Sequence, residues 1–359
     1  MRTRPWALVA ATTGVLLVVA AFIVSFVVAP AIDKLPSDTD RTAVLAGTMQ
    51  VPEPANPAKL AGRPVEIERT IKVEEVDGDN ALTSVTTRAY TVPRSAGEKP
   101  LSETKIDFGI DRKKYGKADA PGGADVTDQQ NASVFAFPHD PAQDGQFFYD
   151  TNLAKSVPLK YEGTENISGR ENRIYTTSNT GPVGDKALAA RLYAALGQRF
   201  GTDGTSIPAA FLAKMGVPAA VLQAFGPSLP VSLEVTSDVK IAADKKLGLF
   251  TALDQGVKIN AVIGDSARPL TKMPVQVLEV KTTDATVADT SDTIKDAESK
   301  LSMIQLWIPL VLGVLGLLVI VAGVFLWRRG NRAPTGPQGP ADTSESDAPE
   351  EEKSEAVVG

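Results

Sequence analysis

The sequence contains no cysteine and a single histidine among its 359 residues. Without cysteine no disulfide can form, so an exported part of the chain would depend on its own hydrophobic core. The same scarcity excludes most zinc sites and thiol chemistry. A formal net charge of −6, with no strongly basic patch, argues against nucleic acid as a partner. We therefore expect no metal site and no cofactor.

Motifs for catalysis are also scarce. His139 is followed by Asp140, but neighbours in sequence rarely meet as a catalytic base and the group that orients it. Two Ser-x-x-Lys matches, at residues 102–105 and 237–240, fall beside or within predicted strands, whereas the catalytic motif needs a helix and partner motifs. No nucleophile elbow and no phosphate-binding glycine pattern occurs in the sequence. We predict that the protein has no catalytic residues and is not an enzyme.

Two long stretches, one near each end of the chain, carry no charge. They are residues 6–29 and 306–327, and at ~1.5 Å per residue each is long enough to cross a bilayer. A buried core helix would need a polar face, which the second stretch lacks. A cleaved signal peptide is the alternative for the first stretch, but its apolar region would be shorter. We predict transmembrane helices at residues 6–29 and 304–327.

Charge and tryptophan at the ends of these stretches predict their orientation. Arginines lie outside each span, and cations of this kind mark the cytoplasmic side; they are Arg2 and Arg4 before the first span and Arg328, Arg329 and Arg332 after the second. All three tryptophans, Trp6, Trp307 and Trp327, stand at span ends, where their rings favour the headgroup layer. We expect a plasma-membrane protein with cytoplasmic segments 1–5 and 328–359, and an extracytoplasmic domain at residues 30–303. The segment 328–359 ends in acidic residues and is expected to be a disordered tail.

The middle region predicts an α+β fold dominated by antiparallel strands. After an irregular lead-in at residues 33–64, apolar residues and Arg69 alternate with polar residues over 65–73, and a second β-rich run follows at 82–92. The turn between them, residues 77–80, predicts a hairpin; a calcium loop is the alternative, but it lacks the remaining oxygen ligands. Further strands are predicted at 105–110, 157–162, 172–177, 231–235, 247–253, 258–263 and 275–281, with 163–169, Gly248, Gly256 and Gly264 in the connections.

Helices are predicted at three places in this domain. Residues 185–200 carry leucines four apart, and Asp185 is a plausible N-cap. Residues 207–225 predict two short apolar helices, and residues 291–303 predict a helix that runs into the second span. The apolar pair either packs against the sheet or forms an apolar surface that caps a pocket or faces lipid. In the second case the predicted ligand-binding side chains are Phe211, Leu212, Met215, Val221, Leu222 and Phe225.

Several short segments together resemble a known family of actinobacterial envelope proteins, the PorA family. They are residues 34–38 (KLPSD), 135–138 (FAFP), 148–150 (FYD) and 157–165 (VPLKYEGTE), placed between the two apolar spans. The resemblance implies an envelope built with mycolic-acid-type lipids. It does not imply a porin, because two uncharged spans cannot line an aqueous pore without extensive oligomerisation. The layout, with two terminal spans around a β-rich domain, is also similar to that of the class B scavenger receptors, which carry lipid.

Two functions remain open from the sequence. The first is a membrane-anchored domain that binds or transfers a lipid or another apolar ligand. The second is a non-catalytic scaffold or partner of envelope-building proteins, with a porin-related component as a further alternative. The membrane is an expected partner in each case.

Overall fold

The computed structural model describes residues 4–25, 34–53, 59–95, 97–214, 217–223, 226–265 and 268–330. Contacts divide the chain into two compact units. One unit comprises Met1–Ile23 and Ile308–Gly359, and the other comprises Val24–Trp307. We call them the helix unit and the β unit. Of the disordered tail predicted at residues 328–359, the first three residues belong instead to the last helix, which ends at Gly330, and residues 331–359 lie outside the described residues.

The β unit is built on an antiparallel sheet. Its strands are β1 (Asp40–Pro52), β2 (Leu60–Asp77), β3 (Asn80–Thr91), β4 (Ser102–Asp111), β5 (Phe147–Asp150), β6 (Lys155–Pro158), β7 (Lys160–Ile167), β8 (Arg170–Pro182), β9 (Ser206–Pro208), β10 (Ser228–Asp244), β11 (Phe250–Asp265) and β12 (Arg268–Thr282). Within the described chain, ten of them form one sheet in the order β4-β3-β2-β1-β12-β11-β10-β8-β7, with β9 beside β10. Strands β5 and β6 form a separate hairpin. The expected antiparallel sheet is confirmed.

The helices of the β unit follow the predicted sites closely. They are α2 (Lys186–Phe200), α3 (Ala209–Lys214), α4 (Ala219–Gln223) and α5 (Asp284–Ser302). The carboxylate of Asp185 accepts hydrogen bonds from the backbone nitrogens of Ala187 and Leu188 at 2.9 and 3.0 Å, which confirms the N-cap. Gly201 ends α2 in the left-handed conformation, with φ of 66°. Helix α5 begins seven residues before the predicted start at residue 291.

Three predictions about strands are wrong. The lead-in at residues 33–64 contains β1, which pairs with both β2 and β12 and so connects the strands β2–β4 to the rest of the sheet. Gly256 lies inside the continuous strand β11 and not in a turn. The connection predicted at 163–169 is reduced to a tight turn at Ser168 and Gly169, because β7 continues through Gly163 with a bulge there.

The hairpin predicted around the turn at residues 77–80 is confirmed. Strands β2 and β3 pair from Val65↔Thr91 to Asp77↔Asn80. At its tip, the carboxylate of Asp79 lies 2.7 Å from the Lys113 amine and 3.2 Å from the Lys34 amine. These bonds lower the pKa of Asp79, so the carboxylate is occupied by lysines and the calcium alternative has no support.

Burial alternates along the central strand as a half-buried sheet requires. In β10 every second residue from Leu229 to Ile241 is buried, while Pro230, Asp238 and Lys240 are exposed. The buried face packs with α2, α3, α4 and the β5–β6 hairpin into the larger of two hydrophobic clusters. A smaller cluster, around Phe108, Ile110 and Tyr149, packs β3 and β4 against the loop that includes Phe135.

The helix unit contains two apolar helices, α1 (Arg4–Ile23) and α6 (Ile308–Gly330). They approach closely at glycines: a Cβ added to Gly14 would lie 2.7 Å from the Gly316 carbonyl oxygen, and one added to Gly316 would lie 2.9 Å from Val18. Because Gly14 meets Ile320 while Val18 meets Gly316, the two helices run antiparallel. Small residues permit this kind of helix packing in membranes.

One described helix is long and apolar enough to cross a membrane. It lies in the helical run Asp284–Arg328, whose most apolar window has a mean hydropathy of 2.8 and is 11% buried. This agrees with the predicted span at 304–327, by length and composition. In α1 the apolar segment that meets the same composition test is shorter, Thr12–Ile23. The N-terminal span at residues 6–29 therefore stays a prediction, and its last four residues lie outside the described chain.

Candidate ligand cavity

The β unit contains a cavity of about 330 Å³ between its sheet and α2. Strands β1, β2, β3, β4, β11 and β12 supply the floor, and α2 and the β5–β6 hairpin supply the roof. Pockets that bind small molecules usually measure about 300–1,000 Å³ and are lined mainly by apolar groups. The cavity has the size and lining of a site for one small apolar molecule.

The register of the strands explains why the floor is apolar. Leu45 pairs with Ile67, Ile67 with Ala89, and Ala89 with Ser102, so one row of side chains crosses four strands on the same face. A second apolar row, Ile71–Val85–Ile106, crosses β2, β3 and β4 four residues further along β2. Of this row Val85 and Ile106 line the cavity, while Ile71 packs against the smaller hydrophobic cluster. Since side chains alternate between faces, both rows point to the same side of the sheet.

The roof is held in place by capping interactions. Leu188 and Leu192 lie one turn apart on α2 and both line the cavity. The start of α2 is fixed by the Asp185 cap, and the Asp150 carboxylate fixes the turn after β5 by accepting hydrogen bonds from the backbone nitrogens of Asn152 and Leu153 at 2.9 and 3.2 Å. Hydrogen bonds thus fix both parts of the roof, the start of α2 and the turn after β5.

One cation lies among the apolar residues of the floor. Arg69 of β2 lines the cavity, and its Nη2 donates a hydrogen bond to the Val134 carbonyl oxygen at 3.0 Å. Among the described residues no carboxylate pairs with this guanidinium. Burial lowers the pKa of Arg69 to about 10, so the group is still charged at neutral pH, and its charged form is only weakly compensated.

Two hydroxyl groups extend the polar region around Arg69. In the strand register Arg69 lies opposite Thr87, and Thr87 lies opposite Thr104. All three side chains line the cavity, and within the described chain the two threonine hydroxyls bond to no other protein group. Arg69, Thr87 and Thr104 thus form one polar row between the two apolar rows, and we call it the Arg69 row.

The side chains predicted to bind ligand lie elsewhere. Leu212 and Leu222 are buried in the larger hydrophobic cluster, and Phe211 packs against Phe200 with ring centroids 4.6 Å apart. None of these three lines the cavity. Met215, Phe225 and the side chain of Val221 lie outside the described residues. A ligand site on these helices therefore stays a prediction, and its described members have the packing expected of a helix pair buried against the sheet.

The polar groups of the cavity include hydrogen-bond donors on the floor, while the roof also contributes Asp185 and Arg191. In the described ranges no group of three or more histidine, aspartate or glutamate side chains is placed to hold a metal ion. A guanidinium next to hydroxyls is a donor set, suited to an anionic oxygen. Sequence reasoning missed Arg69, although the signal was present: it is the one charged residue in the apolar register of residues 65–73.

The fold defines a mixed α/β protein with a large antiparallel sheet, few helices and an apolar C-terminal helix. Residues 6–325 match the sequence profile of a family described as porin PorA. The chain belongs to this family, as its short segments suggested, and membership indicates an envelope protein associated with a membrane. No curated protein matches the chain.

Proposed function

We propose that this chain is a membrane-anchored cell-envelope protein whose extracytoplasmic β unit binds a lipid or another apolar ligand. The observation that carries the proposal is the cavity of about 330 Å³ between the sheet and α2. Its volume is near the lower end of the range for ligand sites. It suits a single acyl chain better than a lipid with two chains.

The binding free energy gained by filling such a cavity depends on the length of the ligand's apolar chain. Each methylene group that leaves water contributes ~0.8 kcal/mol, or about a fourfold change in Kd. A chain of about ten methylenes would supply enough binding energy to offset the cost of ordering it. Residues such as Met49, Ile67, Leu188 and Leu278 provide the apolar contacts.

Filling the cavity with protein should abolish binding. We expect Leu188→Trp to place an indole in the space above the floor and to lower the yield of crosslinking by an uncharged probe at least about tenfold. The probe is dodecanol bearing a diazirine, applied to the full chain in phosphatidylcholine nanodiscs. Crosslinked peptides from the unmodified protein, identified by mass spectrometry, should come from β1, β2 and α2.

A tryptophan on the outer side of the same helix is the matched control. Ala194 is exposed, so Ala194→Trp should leave both the crosslinking yield and the melting temperature unchanged. If the unmodified protein gives no more crosslinking than empty nanodiscs, the proposed function is wrong. If Leu188→Trp and Ala194→Trp behave alike, the ligand does not occupy this cavity.

The membrane arrangement of the proposal has a separate test. Because α1 and α6 run antiparallel, and because arginines lie at their outer ends, we propose that both termini are cytoplasmic. We expect a periplasm-active reporter such as alkaline phosphatase to be active when fused within the Asp119–Asp125 loop and inactive when fused after Gly359. Activity in the reverse pattern would contradict an extracytoplasmic β unit.

The family description favours one alternative, a component of a pore. Apart from the arginines at one end of each helix, neither α1 nor α6 carries an ionisable side chain. These helices therefore offer no charged lining for ions. Purified full-length chain in a planar bilayer distinguishes the two functions. Stepwise conductance that survives Leu188→Trp would favour the pore over the ligand site.

A further inference from the structure

We infer that the cavity is built for a single-chain amphiphile with an anionic head, and that the Arg69 row binds the head while the apolar rows bind the chain. This inference rests on the proposed function and adds the chemical class of the ligand. It is carried by the position of the Arg69 guanidinium, which has no carboxylate partner among the described residues, on a floor lined mainly by apolar side chains; the charged groups Asp185 and Arg191 lie on the roof. The argument has three steps, which concern the cation, its neighbours and the shape of the site.

The first step is the state of the cation. A guanidinium has five N–H donors in a rigid fork, and only one hydrogen bond of Arg69, to the Val134 carbonyl oxygen, is made within the described chain. A buried charge without a counter-ion is costly for a fold. Other arginines of the β unit have carboxylate partners; for example, Arg88 binds Glu103, Arg94 binds Glu68 and Arg170 binds Asp244. Two more, Arg112 and Arg199, donate to backbone carbonyl oxygens but do not line the cavity. Arg69 instead directs its charge to the wall of a cavity.

The second step concerns the groups beside the cation. Thr87 and Thr104 follow Arg69 across β3 and β4 in register, so their hydroxyls lie on the same face and in the same row. A carboxylate or a phosphate monoester has several lone pairs, and a guanidinium with two hydroxyl groups can satisfy them together. A neutral head such as an alcohol would use at most part of this donor set.

The third step is the apolar surface on both sides of the row. The row Ile71–Val85–Ile106 lies on one side, and the row Leu45–Ile67–Ala89 lies on the other side and continues toward Met49 and Leu278. A free inorganic anion would leave this surface unfilled. An anionic head attached to one acyl chain matches both the polar row and the apolar floor.

The test is competition against the diazirine-bearing dodecanol probe in nanodiscs of the full chain. The competitors share a 12-carbon chain and differ in the head: laurate, dodecyl phosphate and dodecanol, with inorganic phosphate as a head without a chain. We expect laurate or dodecyl phosphate to compete about 10- to 100-fold better than dodecanol, the range expected for charge-assisted hydrogen bonds. Inorganic phosphate should not compete at the same concentration. The better of the two anionic amphiphiles identifies the head as carboxylate or phosphate.

Substitution of the cation should remove this preference without removing binding. In Arg69→Met we expect laurate and dodecyl phosphate to fall to within about threefold of dodecanol, while dodecanol itself is unchanged. Arg69→Lys keeps the charge but loses the fork, so its preference should be intermediate. The matched control is Arg88→Met on the next strand; Arg88 is paired with Glu103 on the exposed face, and its loss should leave all competitors unchanged.

The outcomes distinguish the inference about the anionic head from the proposed function, the binding of an apolar ligand. If dodecanol and the anionic amphiphiles compete equally, and Arg69→Met changes neither, the inference about the head is overturned while the apolar site stands. If no 12-carbon competitor displaces the probe, the proposed function itself fails. If inorganic phosphate competes as well as dodecyl phosphate, the site binds plain anions and the inference is overturned. Because Arg69 is a desolvated cation with one hydrogen bond, Arg69→Met should fold, and circular dichroism checks that it does.

Discussion

Replacing Gly47 by alanine should destabilise the β unit by at least about 3 kcal/mol, a large effect for a single methyl group. Gly47 lies in the middle of β1, opposite Val280 of β12. A Cβ at this position would lie 2.8 Å from the Val280 Cα and closer still to the Glu279 carbonyl oxygen. Both obstructing groups are backbone, so neither can move aside by changing a rotamer.

The position of Gly47 makes this clash costly. Strands β1 and β12 are joined from Leu45↔Thr282 to Gln50↔Val277, and this pairing connects β2, β3 and β4 with the strands from β12 to β7. Moving β1 away from β12 would weaken the pairing that holds these two groups of strands in one sheet. It would also disturb the cavity floor, because Leu45, Met49 and Leu278 belong to these two strands.

Gly256→Ala provides the matched control. Gly256 also lies inside a central strand, but a Cβ there would be 3.6 Å from the nearest atom, the Asp238 Cβ, which is ordinary contact. We expect its free energy of unfolding to change by less than about 1 kcal/mol, in either direction. Urea unfolding of the full chain, followed by circular dichroism, compares the midpoints. Equal midpoints for the two variants would show that β1 does not approach β12 as described.

Strand β1, whose pairing with β12 depends on Gly47, was also the hardest strand to predict from the sequence. In β1 the inner face contains Leu45, Gly47 and Met49, and the outer face contains Val44 and Ala46, so apolar and small residues occur on both faces. No clean alternation results, because the outer-face residues Val44 and Ala46 are themselves partly buried and Gly47 is needed for the close approach to β12. Period-2 patterns identify half-buried strands and fail for strands of this kind.

Local signals explain what could be predicted. The cap at Asp185 and the leucines on α2 depend on residues a few positions apart, and both were recognised in the sequence. The turn at residues 77–80 is likewise local. Gly256 was misread because a glycine in a strand gives the same signal as a glycine in a turn, and only the pairing of β11 with β10 and β12 distinguishes them.

The cavity depends on distant parts of the chain and could not be located from the sequence. Its floor combines β1–β4 with β11 and β12, and its roof comes from α2, which begins 75 residues after β4 ends (111 to 186) and ends 50 residues before β11 begins (200 to 250). The apolar helices at 207–225 drew attention because they are conspicuous in composition. Composition cannot distinguish helices that pack into a core from helices that cover a ligand site, whereas the unusual charge at Arg69 marks the cavity itself.

Replacing Asp244 by alanine should destabilise the β unit by about 3–5 kcal/mol, the usual cost of breaking a buried ion pair. Its carboxylate is 2% exposed and lies 2.8 Å from the Nε of Arg170. The same carboxylate accepts hydrogen bonds from the backbone nitrogens of Lys246 and Leu247 at 3.0 and 2.8 Å, which fixes the β10–β11 turn. Alanine would remove the counter-charge and the turn cap together.

The Arg170–Asp244 ion pair also connects the sheet to α5. Arg170 donates a second hydrogen bond to Glu298 of α5 at 2.9 Å, and Glu298 also binds Lys246. Burial by itself would lower the pKa of Arg170, but the bonds to Asp244 and Glu298 outweigh it and leave the pKa raised. The guanidinium therefore remains charged in Asp244→Ala, with one of its two carboxylates gone.

Two further variants separate the contribution of the ion pair from those of the turn cap and of the bonds made by Glu298. Asp244→Asn keeps an acceptor for the turn but loses the charge, so it should cost about half as much as alanine. The pKa of Glu298 is lowered, first by its hydrogen bond with Lys246 and also by Arg170, against an opposing effect of burial. A depressed carboxylate stabilises the fold above its unfolded pKa of about 4.5, and that stabilisation is lost as the pH falls through the lower folded value.

Glu298→Gln should therefore reduce the loss of stability in acid. We expect the unfolding midpoint of the unmodified chain to fall more steeply below about pH 4.5 than that of Glu298→Gln, with the two differing most at neutral pH. Unfolding in urea at pH 7, 5 and 4 measures all three variants on the same scale. If Asp244→Ala costs no more than Asp244→Asn at pH 7, the turn cap contributes nothing. If neither Asp244→Ala nor Asp244→Asn lowers the midpoint at pH 7, the Arg170–Asp244 pair does not stabilise the β unit. If Glu298→Gln leaves the midpoint at pH 7 unchanged, the bonds of Glu298 to Arg170 and Lys246 do not stabilise the connection to α5.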